Sequence, residues 1–266
     1  MRAAVDPAYV ALYRRSEKYG GAIPPGQVRA RAGWPNVSSY VEGGRESAEE
    51  LNAALGAVGM SFESFDSILD FGAGAGRVLT HVVSRSRSGA SFWGCDVDAD
   101  AIAWARENRP EASWAVNAAE PPIPFEKDVS LIYSISVFTH LDEGLQMRWL
   151  DELRRVLRPG GVALLTTHGR QEFESYRAGE VVSNSPSCVR RMAMHGSLEE
   201  HGFVHEPYSR SVWTERDFPG TDAAFGLAFH SEEYVRDVWG QRFEVLEILP
   251  RALADRQDVV VLRKPA

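Results

Sequence analysis

The sequence predicts an α/β fold with a doubly wound parallel sheet, and two observations support this class. Short apolar segments alternate with helical patterns between residues 67 and 168. Such alternation is typical of parallel strands that are covered by helices on both faces. Near the C-terminus, two strand-like segments are joined by the eight residues 250–257. This connection is too short for a crossover helix, so the last two strands are expected to be antiparallel.

The elements follow one another in order along the chain. The predicted strands are SILDF (67–71), ASFWGCD (90–96), SWAVNA (113–118), VSLIYSISV (129–137) and VALLTTH (162–168). The predicted helices between and after them are RVLTHVVSRS (77–86), AIAWARENR (101–109), LQMRWLDELRRVL (145–157) and SEEYVRDVWG (231–240). Ahead of the sheet, Ser47 and Glu50 form a capping-box pattern, which predicts a helix that starts there and ends near Gly56 or Gly59.

Composition excludes several classes of protein. The chain has 266 residues and a net charge of −8, which argues against a nucleic-acid partner. No run approaches about 18 uncharged apolar residues, and the N-terminus lacks the apolar core of a secretory signal, so we expect no membrane partner and a cytoplasmic location. Cys95 and Cys188 are too few for a disulfide framework or a thiolate metal site.

Two less regular segments flank or interrupt the alternating pattern. Residues 1–45 carry seven basic and three acidic side chains and are interpreted as an N-terminal lid, either a solvated basic arm or a cover that meets an anionic ligand. Residues 46–266 are predicted to form the main domain. Within it, residues 170–230 are polar and punctuated, as expected for a cap insert between the fifth and sixth strands of the sheet.

The strongest chemical signal is the glycine cluster after the first strand, in DFGAGAGR (70–77). Glycines at positions 72, 74 and 76 allow a tight turn and a close ligand approach, and the following helix offers unpaired N–H groups. Asp96 ends the second strand, 20 residues after Gly76, where a carboxylate can accept hydrogen bonds from a ribose. These residues leave two cofactor classes open, a dinucleotide and S-adenosylmethionine.

Four successive segments resemble the motifs of class I S-adenosylmethionine-dependent methyltransferases. They are ILDFGAGAGRVL, GCDVD, VSLIYSISVFTHL and ELRRVLRPGGVALLTTHG. The resemblance covers residues 66–169 and the terminal strand pair in 225–264. It implies a Rossmann-like seven-stranded sheet whose last strand is antiparallel, and an enzyme that uses S-adenosyl-L-methionine and releases S-adenosyl-L-homocysteine.

The resemblance also implies the cofactor-binding residues. The glycine loop would pass under the methionine part of the cofactor, Asp96 would hold the ribose, and Val97 would pack on the adenine. Asn117 stands where the family often has an aspartate that reaches the adenine amino group. The full implied set is Asp70, Gly72, Ala73, Gly74, Gly76, Asp96, Val97, Asn117, Ala118, Ser134 and Ser136, with either serine lining the sulfonium region.

Transfer to a hydroxyl benefits from a general base, and histidine is the commonest one. His140 and His168 follow the fourth and fifth predicted strands, at the sheet edge where open α/β folds bind ligands, and are the candidate catalytic residues. His230 is a weaker candidate for contact with the substrate. No metal is expected, because the fourth strand ends without a carboxylate and no carboxylate or cysteine completes the set His195, His201 and His205.

The acceptor is expected to be a small molecule with a hydroxyl group. Aromatic residues in the lid and the insert can form its pocket wall, namely Tyr9, Tyr13 and Tyr19 with Phe173, Tyr176, Tyr208, Trp213 and Phe218. Four alternatives remain at this point: N-methylation of a small molecule, methylation of RNA, a non-catalytic cofactor-binding domain, and a dinucleotide oxidoreductase.

Overall fold

The computed structural model describes residues 23–125, 128–179, 198–208 and 224–266. Its helices are α1 (Gly26–Arg31), α2 (Val37–Ala57), α3 (Leu79–Val83), α4 (Ala99–Asn108), α5 (Glu143–Val156), α6 (Arg170–Ala178), α7 (Leu198–His201) and α8 (Glu232–Val238). Its strands are β1 (Ser67–Phe71), β2 (Ser91–Asp96), β3 (Ser113–Val116), β4 (Val129–Ser134), β5 (Leu157–Thr167), β6 (Phe203–Pro207), β7 (Gly226–His230), β8 (Glu244–Leu253) and β9 (Gln257–Arg263). Short 3-10 helices span Phe62–Ser64 and Trp239–Gln241.

Seven of these strands form one sheet in the order β3-β2-β1-β4-β5-β9-β8. Strands β1 to β5 pair in parallel, whereas β9 is antiparallel to both β5 and β8. The predicted seven-stranded, doubly wound sheet with an antiparallel terminal strand is therefore confirmed. The carboxyl ends of β1, β2, β4 and β5 lie along one edge, which is the edge that open α/β sheets use for ligands.

Both faces of the sheet are covered, which explains why its central strands are apolar throughout. Ile68 of β1 packs toward α2, α3 and α4, in a cluster with Leu51, Val82 and Ile102. Its neighbour Leu69 faces the opposite way, into the cluster formed with α5 and α8. Because successive strand residues point to opposite faces, each central strand contributes to two cores.

Helix α2 starts ten residues earlier than the capping-box pattern predicts, at Val37. Ser47 therefore lies inside the helix rather than at its start. Gly43 and Gly44 are also helical. Only glycine fits at these positions, because a Cβ on Gly43 would come within 2.7 Å of the Trp34 ring and a Cβ on Gly44 within 2.5 Å of the Arg77 carbonyl oxygen. Tertiary packing here outweighs the helix cost of two glycines.

The predicted boundary between residues 45 and 46 falls inside α2. Three basic residues of the N-terminal segment lie in the described part of the chain, and all three bind groups of the protein itself. Arg29 donates to the carbonyls of Pro24 and Pro35, Arg31 pairs with Asp98, and Arg45 pairs with nearby glutamates of α2. The lid stays a prediction, and Tyr9, Tyr13 and Tyr19 lie outside the described residues.

Strand β5 is longer than predicted, because the RPGG segment after α5 is a strand rather than a turn. Leu157 pairs with Val129, and the register shifts before Val162 pairs with Leu131. Gly160 has φ +73° at this irregularity, a conformation that favours glycine. The main-chain bulge lets β5 begin directly at the end of α5.

The insert between β5 and β8 contributes a two-stranded antiparallel ribbon, β6 and β7. Every second residue of β7 donates a backbone hydrogen bond to a loop at the carboxyl edge of the large sheet. Gly226 donates to the His140 carbonyl at 2.8 Å, Ala228 to Thr139 at 2.9 Å, and His230 to His168 at 2.8 Å. The ribbon therefore covers the ends of β4 and β5.

Within the described ranges, no helix has the length and apolar character that crossing a membrane requires.

Candidate functional site

The loop after β1 turns through three glycines with positive φ, Gly72 (+84°), Gly74 (+53°) and Gly76 (+76°). Two of them also make room for core side chains. A Cβ on Gly72 would collide with Val137, and one on Gly76 would come within 2.7 Å of Trp114. Gly74 differs, because no described atom lies within 4 Å of the position of its missing Cβ. The middle of the loop therefore faces open space, as a ligand cradle does.

The carboxylate of Asp96 lies beside this loop. One of its oxygens accepts a hydrogen bond from the Gly74 N–H at 2.7 Å, and the other accepts one from the Asp98 N–H at 2.8 Å. The Val97 N–H also interacts with this carboxylate, and because a carboxylate has about four acceptor positions, room for a further hydrogen bond remains. Burial raises the pKa of Asp96 above its ordinary value, while these backbone donors act in the opposite direction.

Asp98 caps α4. It accepts hydrogen bonds from the N–H groups of Asp100 and Ala101, both at 3.1 Å. Its carboxylate also binds Arg31 at the end of α1, through two hydrogen bonds of 2.6 and 2.8 Å. Since Val28 of α1 packs against Ala75 of the glycine loop, α1 lies across the start of the site.

Asn117 is buried immediately after β3. Its backbone N–H donates to the Asp96 carbonyl at 3.1 Å, and its side-chain amide donates to the Ala118 carbonyl at 2.8 Å. Among the described residues, its buried Oδ1 atom has no hydrogen-bond partner. A buried acceptor without a partner is costly, so this oxygen is suited to an N–H donor from a ligand. Val97, between Asp96 and Asp98, is half-buried at the same edge.

Ser134 ends β4, and Ser136 lies two residues further along the chain. Ser134 is fully buried, and its hydroxyl has no partner among the described residues. Ser136 has φ +59°, which is unusual for a non-glycine residue. Its N–H donates to Thr166 at 2.8 Å, and its hydroxyl accepts from Gln257 at 2.7 Å. Strands β5 and β9 thus hold the turn that follows β4.

Asp70 lies one residue before the end of β1 and is buried. The Tyr133 hydroxyl donates to its carboxylate at 2.8 Å. Burial raises the pKa of Asp70 to about 7, against the effect of the Tyr133 hydrogen bond, and the nearby Asp96 carboxylate adds to the rise. The site therefore contains a carboxyl group that is partly protonated at neutral pH.

His140 lies in the loop after β4. Its Nδ1 atom is 3.0 Å from the carbonyl oxygen of Gly226 and 2.8 Å from the hydroxyl of Tyr208. A carbonyl can only accept, so Nδ1 carries the proton and Nε2 is left with a lone pair. Burial lowers the pKa of His140, which keeps the ring neutral at pH 7. The ring has the protonation state that a general base needs.

His168 follows β5 and approaches His140 edge-on, with ring centroids 6.2 Å apart. It packs against Tyr176 and Phe229 and is 5% exposed. Its Nδ1 atom is buried and has no hydrogen-bond partner among the described residues. Burial holds the pKa of His168 well below its ordinary value, and the neighbouring His140 lowers it further.

Of the remaining histidine candidates, His230 is held in the protein interior. His230 is buried, its Nε2 atom is 2.9 Å from the Gln146 side-chain oxygen, and burial lowers its pKa to about 3. His195 lies outside the described residues. In the part of the chain that is described, no cluster of three histidine, cysteine or acidic side chains could hold a metal ion. Asp142 caps α5, where it accepts from Leu145 at 2.7 Å.

Comparison with known proteins identifies the fold and its cofactor. Residues 68–161 match the family described as methyltransferase domain. These residues form a class I S-adenosylmethionine-dependent methyltransferase domain. The domain contains the glycine loop, Asp96, Asn117 and His140, whereas Tyr208 and Gly226 lie outside the matched range.

Three known proteins illustrate what the chain is similar to. The biotin biosynthesis bifunctional protein BioHC of Cellvibrio japonicus is 32% identical over 136 residues, which are 50% of this chain; the chain spans only 26% of that relative's length. The structure of the PH0226 protein of Pyrococcus horikoshii has a TM-score of 0.55 at 17% identity, over 85% of this chain and 95% of that one. A SAM-dependent methyltransferase of Aquifex aeolicus has a TM-score of 0.52 at 14% identity, over 91% and 99%.

The residues at the carboxyl edge fit the methyltransferase cofactor. Gly74 leaves open space at the loop, and the Asp96 carboxylate beside it has room for a further donor. Two strands away, Asn117 has an acceptor without a described partner. A ribose offers hydroxyl donors and an adenine offers an amino group, so donors and acceptors are complementary. S-Adenosylmethionine is the cofactor of this domain.

Sequence reasoning missed several contacts of the site. Tyr208 was predicted as a wall of the acceptor pocket, but its hydroxyl lies at His140. The Gly226 carbonyl and the pairing of Arg31 with Asp98 had no sequence signal beyond a glycine and a basic arm. Each of these contacts joins segments more than 60 residues apart.

Proposed function

We propose that this protein transfers a methyl group from S-adenosylmethionine to a hydroxyl group of a small-molecule acceptor, with His140 as general base. The methyltransferase domain and its cofactor support the transfer itself. The observation that favours a hydroxyl is the hydrogen bond of His140 Nδ1 to the Gly226 carbonyl at 3.0 Å, because a proton on Nδ1 leaves Nε2 as an acceptor. An amine needs no such base once it is deprotonated, whereas a hydroxyl benefits from one.

The cofactor contacts follow from the free groups at the carboxyl edge. Asp96 is proposed to accept hydrogen bonds from the ribose hydroxyls, and Asn117 Oδ1 to accept one from the adenine amino group, with Val97 against the ring and Ala118 beside it. The loop from Gly72 to Gly76, including Ala73, is proposed to pass under the methionine part near Asp70. Ser134 and Ser136 are proposed to line the sulfonium region.

When bound, S-adenosylmethionine supplies an electrophilic methyl group on a sulfonium sulfur. The chain then has to align the acceptor with that group and exclude water. The ribbon of β6 and β7 lies over the ends of β4 and β5 and is suited to that enclosure. His140 Nε2 takes the proton of the acceptor hydroxyl as the oxygen bonds to the methyl carbon and the carbon–sulfur bond breaks.

His168 is a second candidate base, and its environment supports a different contribution. Its ring is packed between Phe229 and Tyr176, and edge-on to His140. We propose that it fixes the plane of the His140 ring, and that His230 belongs to the packing of the ribbon through Gln146. N-methylation is the alternative reaction, in which neither histidine would act as a base.

Calorimetric titration with S-adenosylhomocysteine tests the cofactor contacts. We expect Asp96→Ala to weaken binding roughly 10- to 100-fold, because it removes hydrogen-bond acceptors for the ribose. Asp66→Ala is the matched control, since Asp66 precedes β1 at the opposite edge of the sheet and pairs with Arg158. Binding of NADH instead of S-adenosylhomocysteine, or equal affinities for both variants, would contradict the proposal.

A second assay tests the acceptor class. Formation of S-adenosylhomocysteine is measured with two matched panels of small molecules, one bearing hydroxyls and one bearing amines. We expect turnover with the hydroxyl panel, lost in His140→Ala while the affinity for S-adenosylhomocysteine is kept. Turnover with amines only, at the wild-type rate in His140→Ala, would replace O-methylation by N-methylation.

A further inference from the structure

The proposed base is completed by two residues of the insert. His140 belongs to the loop after β4, inside the matched methyltransferase domain, whereas Tyr208 directly follows β6 and Gly226 begins β7. Both insert residues reach the same ring atom, His140 Nδ1, at 2.8 Å from the Tyr208 hydroxyl and 3.0 Å from the Gly226 carbonyl. The geometry of the base therefore depends on a segment outside the domain core.

The backbone fixes this arrangement from both sides. The Tyr208 N–H donates to the Phe225 carbonyl at 3.0 Å, and the Gly226 N–H donates to the His140 carbonyl at 2.8 Å. A Cβ at position 226 would collide with the Glu206 backbone, so β6 and β7 approach as closely as they do only with glycine there. The Tyr208 hydroxyl and the Gly226 carbonyl are thus each held at a fixed distance from the His140 ring.

The hydrogen-bond roles follow from elementary chemistry. The Gly226 carbonyl can only accept, so it requires a proton on Nδ1. The Tyr208 oxygen then shares that proton as a second acceptor and keeps its own proton. If the phenol donated to Nδ1 instead, the carbonyl would face a lone pair at 3.0 Å, and Nε2 would carry the proton and could not act as a base.

We propose that Tyr208 is a positioning residue for methyl transfer: with the Gly226 carbonyl, it holds the His140 ring with Nδ1–H directed at the insert and Nε2 available to the acceptor hydroxyl. The inference rests on the proposed role of His140. When Nε2 takes the acceptor's proton, the ring becomes a cation whose Nδ1–H faces two oxygen acceptors. Hydrogen bonds to a charged group are stronger than those to a neutral one, so this pair stabilises the protonated ring.

Other titratable groups also surround the His140 ring. His168 after β5 approaches it edge-on, His205 on β6 is close enough to interact electrostatically, and Tyr208 lies at 39° to its plane. The two histidines have pKa values lowered by burial and are neutral at pH 7. The Tyr208 hydroxyl is therefore the side-chain group among these that acts on the protonation of His140 by direct hydrogen bonding.

Nuclear magnetic resonance of the full chain, labelled with ¹⁵N in its imidazole rings, tests the proposal without an acceptor. The His140 signals are assigned by their loss in His140→Gln. In the wild type we expect the neutral ring with its proton on Nδ1. In Tyr208→Phe we expect the pKa of His140 to fall further, because the protonated ring loses one acceptor.

Kinetics with a hydroxyl acceptor from the panel supply the second readout. We expect Tyr208→Phe to lower kcat about tenfold, with unchanged KM and unchanged affinity for S-adenosylhomocysteine. Tyr234→Phe is the matched control, because it also removes a phenol hydrogen bond, the one to Glu143 at 2.7 Å, without touching His140. The control should keep the wild-type kcat and the wild-type pKa of His140.

Four results would overturn the inference. A proton on Nε2 in the wild type, or a His140 pKa that is unchanged or higher in Tyr208→Phe, contradicts the hydrogen-bond roles regardless of activity. A wild-type kcat in Tyr208→Phe, together with an inactive His140→Ala, removes the positioning role and leaves the proposed base intact. Full hydroxyl methylation by His140→Ala removes the base itself, and with it the inference.

Discussion

The guanidinium of Arg31 binds the carboxylate of Asp98 through two hydrogen bonds, of 2.6 and 2.8 Å. Asp98 lies two residues after Asp96. The side chains of Arg31 and Asp98 are both largely buried. The pair ties α1 to the start of α4, next to the glycine loop. The N-terminal segment is thereby anchored at the proposed cofactor site by a partly buried ion pair.

Loss of this ion pair should loosen the cover of the cofactor site. We expect Arg31→Ala to lower the free energy of unfolding by roughly 1–2 kcal/mol, because it leaves Asp98 with an unpaired charge. The affinity for S-adenosylhomocysteine should fall severalfold in calorimetry. Arg45→Ala, which removes the exposed pairs with Glu42 and Glu49, is the control and should leave affinity unchanged. Equal affinities for both variants would show that α1 does not contribute to the site.

Alanine at two positions of the glycine loop should separate binding from stability. Gly74→Ala places its methyl group in open space, so its main effect on folding is the left-handed φ, at about 1–2 kcal/mol. It should fold and lose affinity for S-adenosylhomocysteine. Gly72→Ala has a similar backbone strain and also collides with Val137, so it should lose more stability. Thermal unfolding and calorimetry on both variants measure the split, and unchanged affinity in a folded Gly74→Ala would argue against the cradle.

The pH dependence of turnover should reflect a base whose pKa is lowered from the ordinary histidine value by burial. Burial lowers the pKa of His140, so the ring stays unprotonated through the range in which an exposed histidine would titrate. We expect kcat to remain constant as the pH falls from 8 to about 6.5, the ordinary histidine value. The acid limb should appear only below it. A limb above pH 7, retained in His140→Gln, would indicate another titrating group.

Buried histidines should make the protein sensitive to acid. His230 has a pKa of about 3 in the folded chain and about 6.5 when unfolded, so between these values the unfolded state binds more protons. Stability is therefore lost as the pH falls through this window, by up to roughly 1.4 kcal/mol per pH unit from this residue. We expect His230→Asn to have a shallower pH dependence of unfolding in urea than the wild type. His201→Asn, at an exposed position, should not change it.

The contribution of Asp70 to stability should change with pH in the opposite direction to that of His230. Its pKa is raised to about 7 in the folded chain from an ordinary value of about 3.9, so the folded state binds more protons between these values. Stability from this residue is lost as the pH rises toward 7. We expect Asp70→Asn to gain stability relative to the wild type between pH 4 and pH 8, since the amide cannot ionise. A pH-independent difference would show that folding does not raise the pKa of Asp70.

The fold could be predicted from the sequence because the patterns that indicate its strands, helices and glycine loop each lie within a short stretch of chain. A glycine cluster after SILDF, an aspartate that ends β2 and the alternation of apolar and helical segments are each contained within a few residues. The predicted start of α2 was wrong because the two glycines at its beginning pack against residues outside the helix. Trp34 and Arg77 fill the space beside Gly43 and Gly44. The strand at RPGG was missed because Gly160 and Gly161 exchange backbone hydrogen bonds with Lys264, more than 100 residues away in the sequence.

The candidate site divides along the same line. Gly74, Asp96 and His140 could be proposed from the sequence because they lie where strands end. Tyr208 and Gly226 could not be assigned to His140 from sequence, because 68 and 86 residues separate them from that ring. Only the docking of the insert brings them together.

The ribbon contacts His140 twice through one residue, since Gly226 binds its carbonyl through N–H and its ring through C=O. A strand that slips by one residue turns every side chain to the opposite face and exchanges the groups presented to its neighbour. The alignment of β7 with the loop after β4 therefore decides which backbone groups face His140. For enzyme engineering, the segment from Phe203 to His230 is the unit to exchange between relatives, because grafting either strand alone would leave the base without one of its two oxygens.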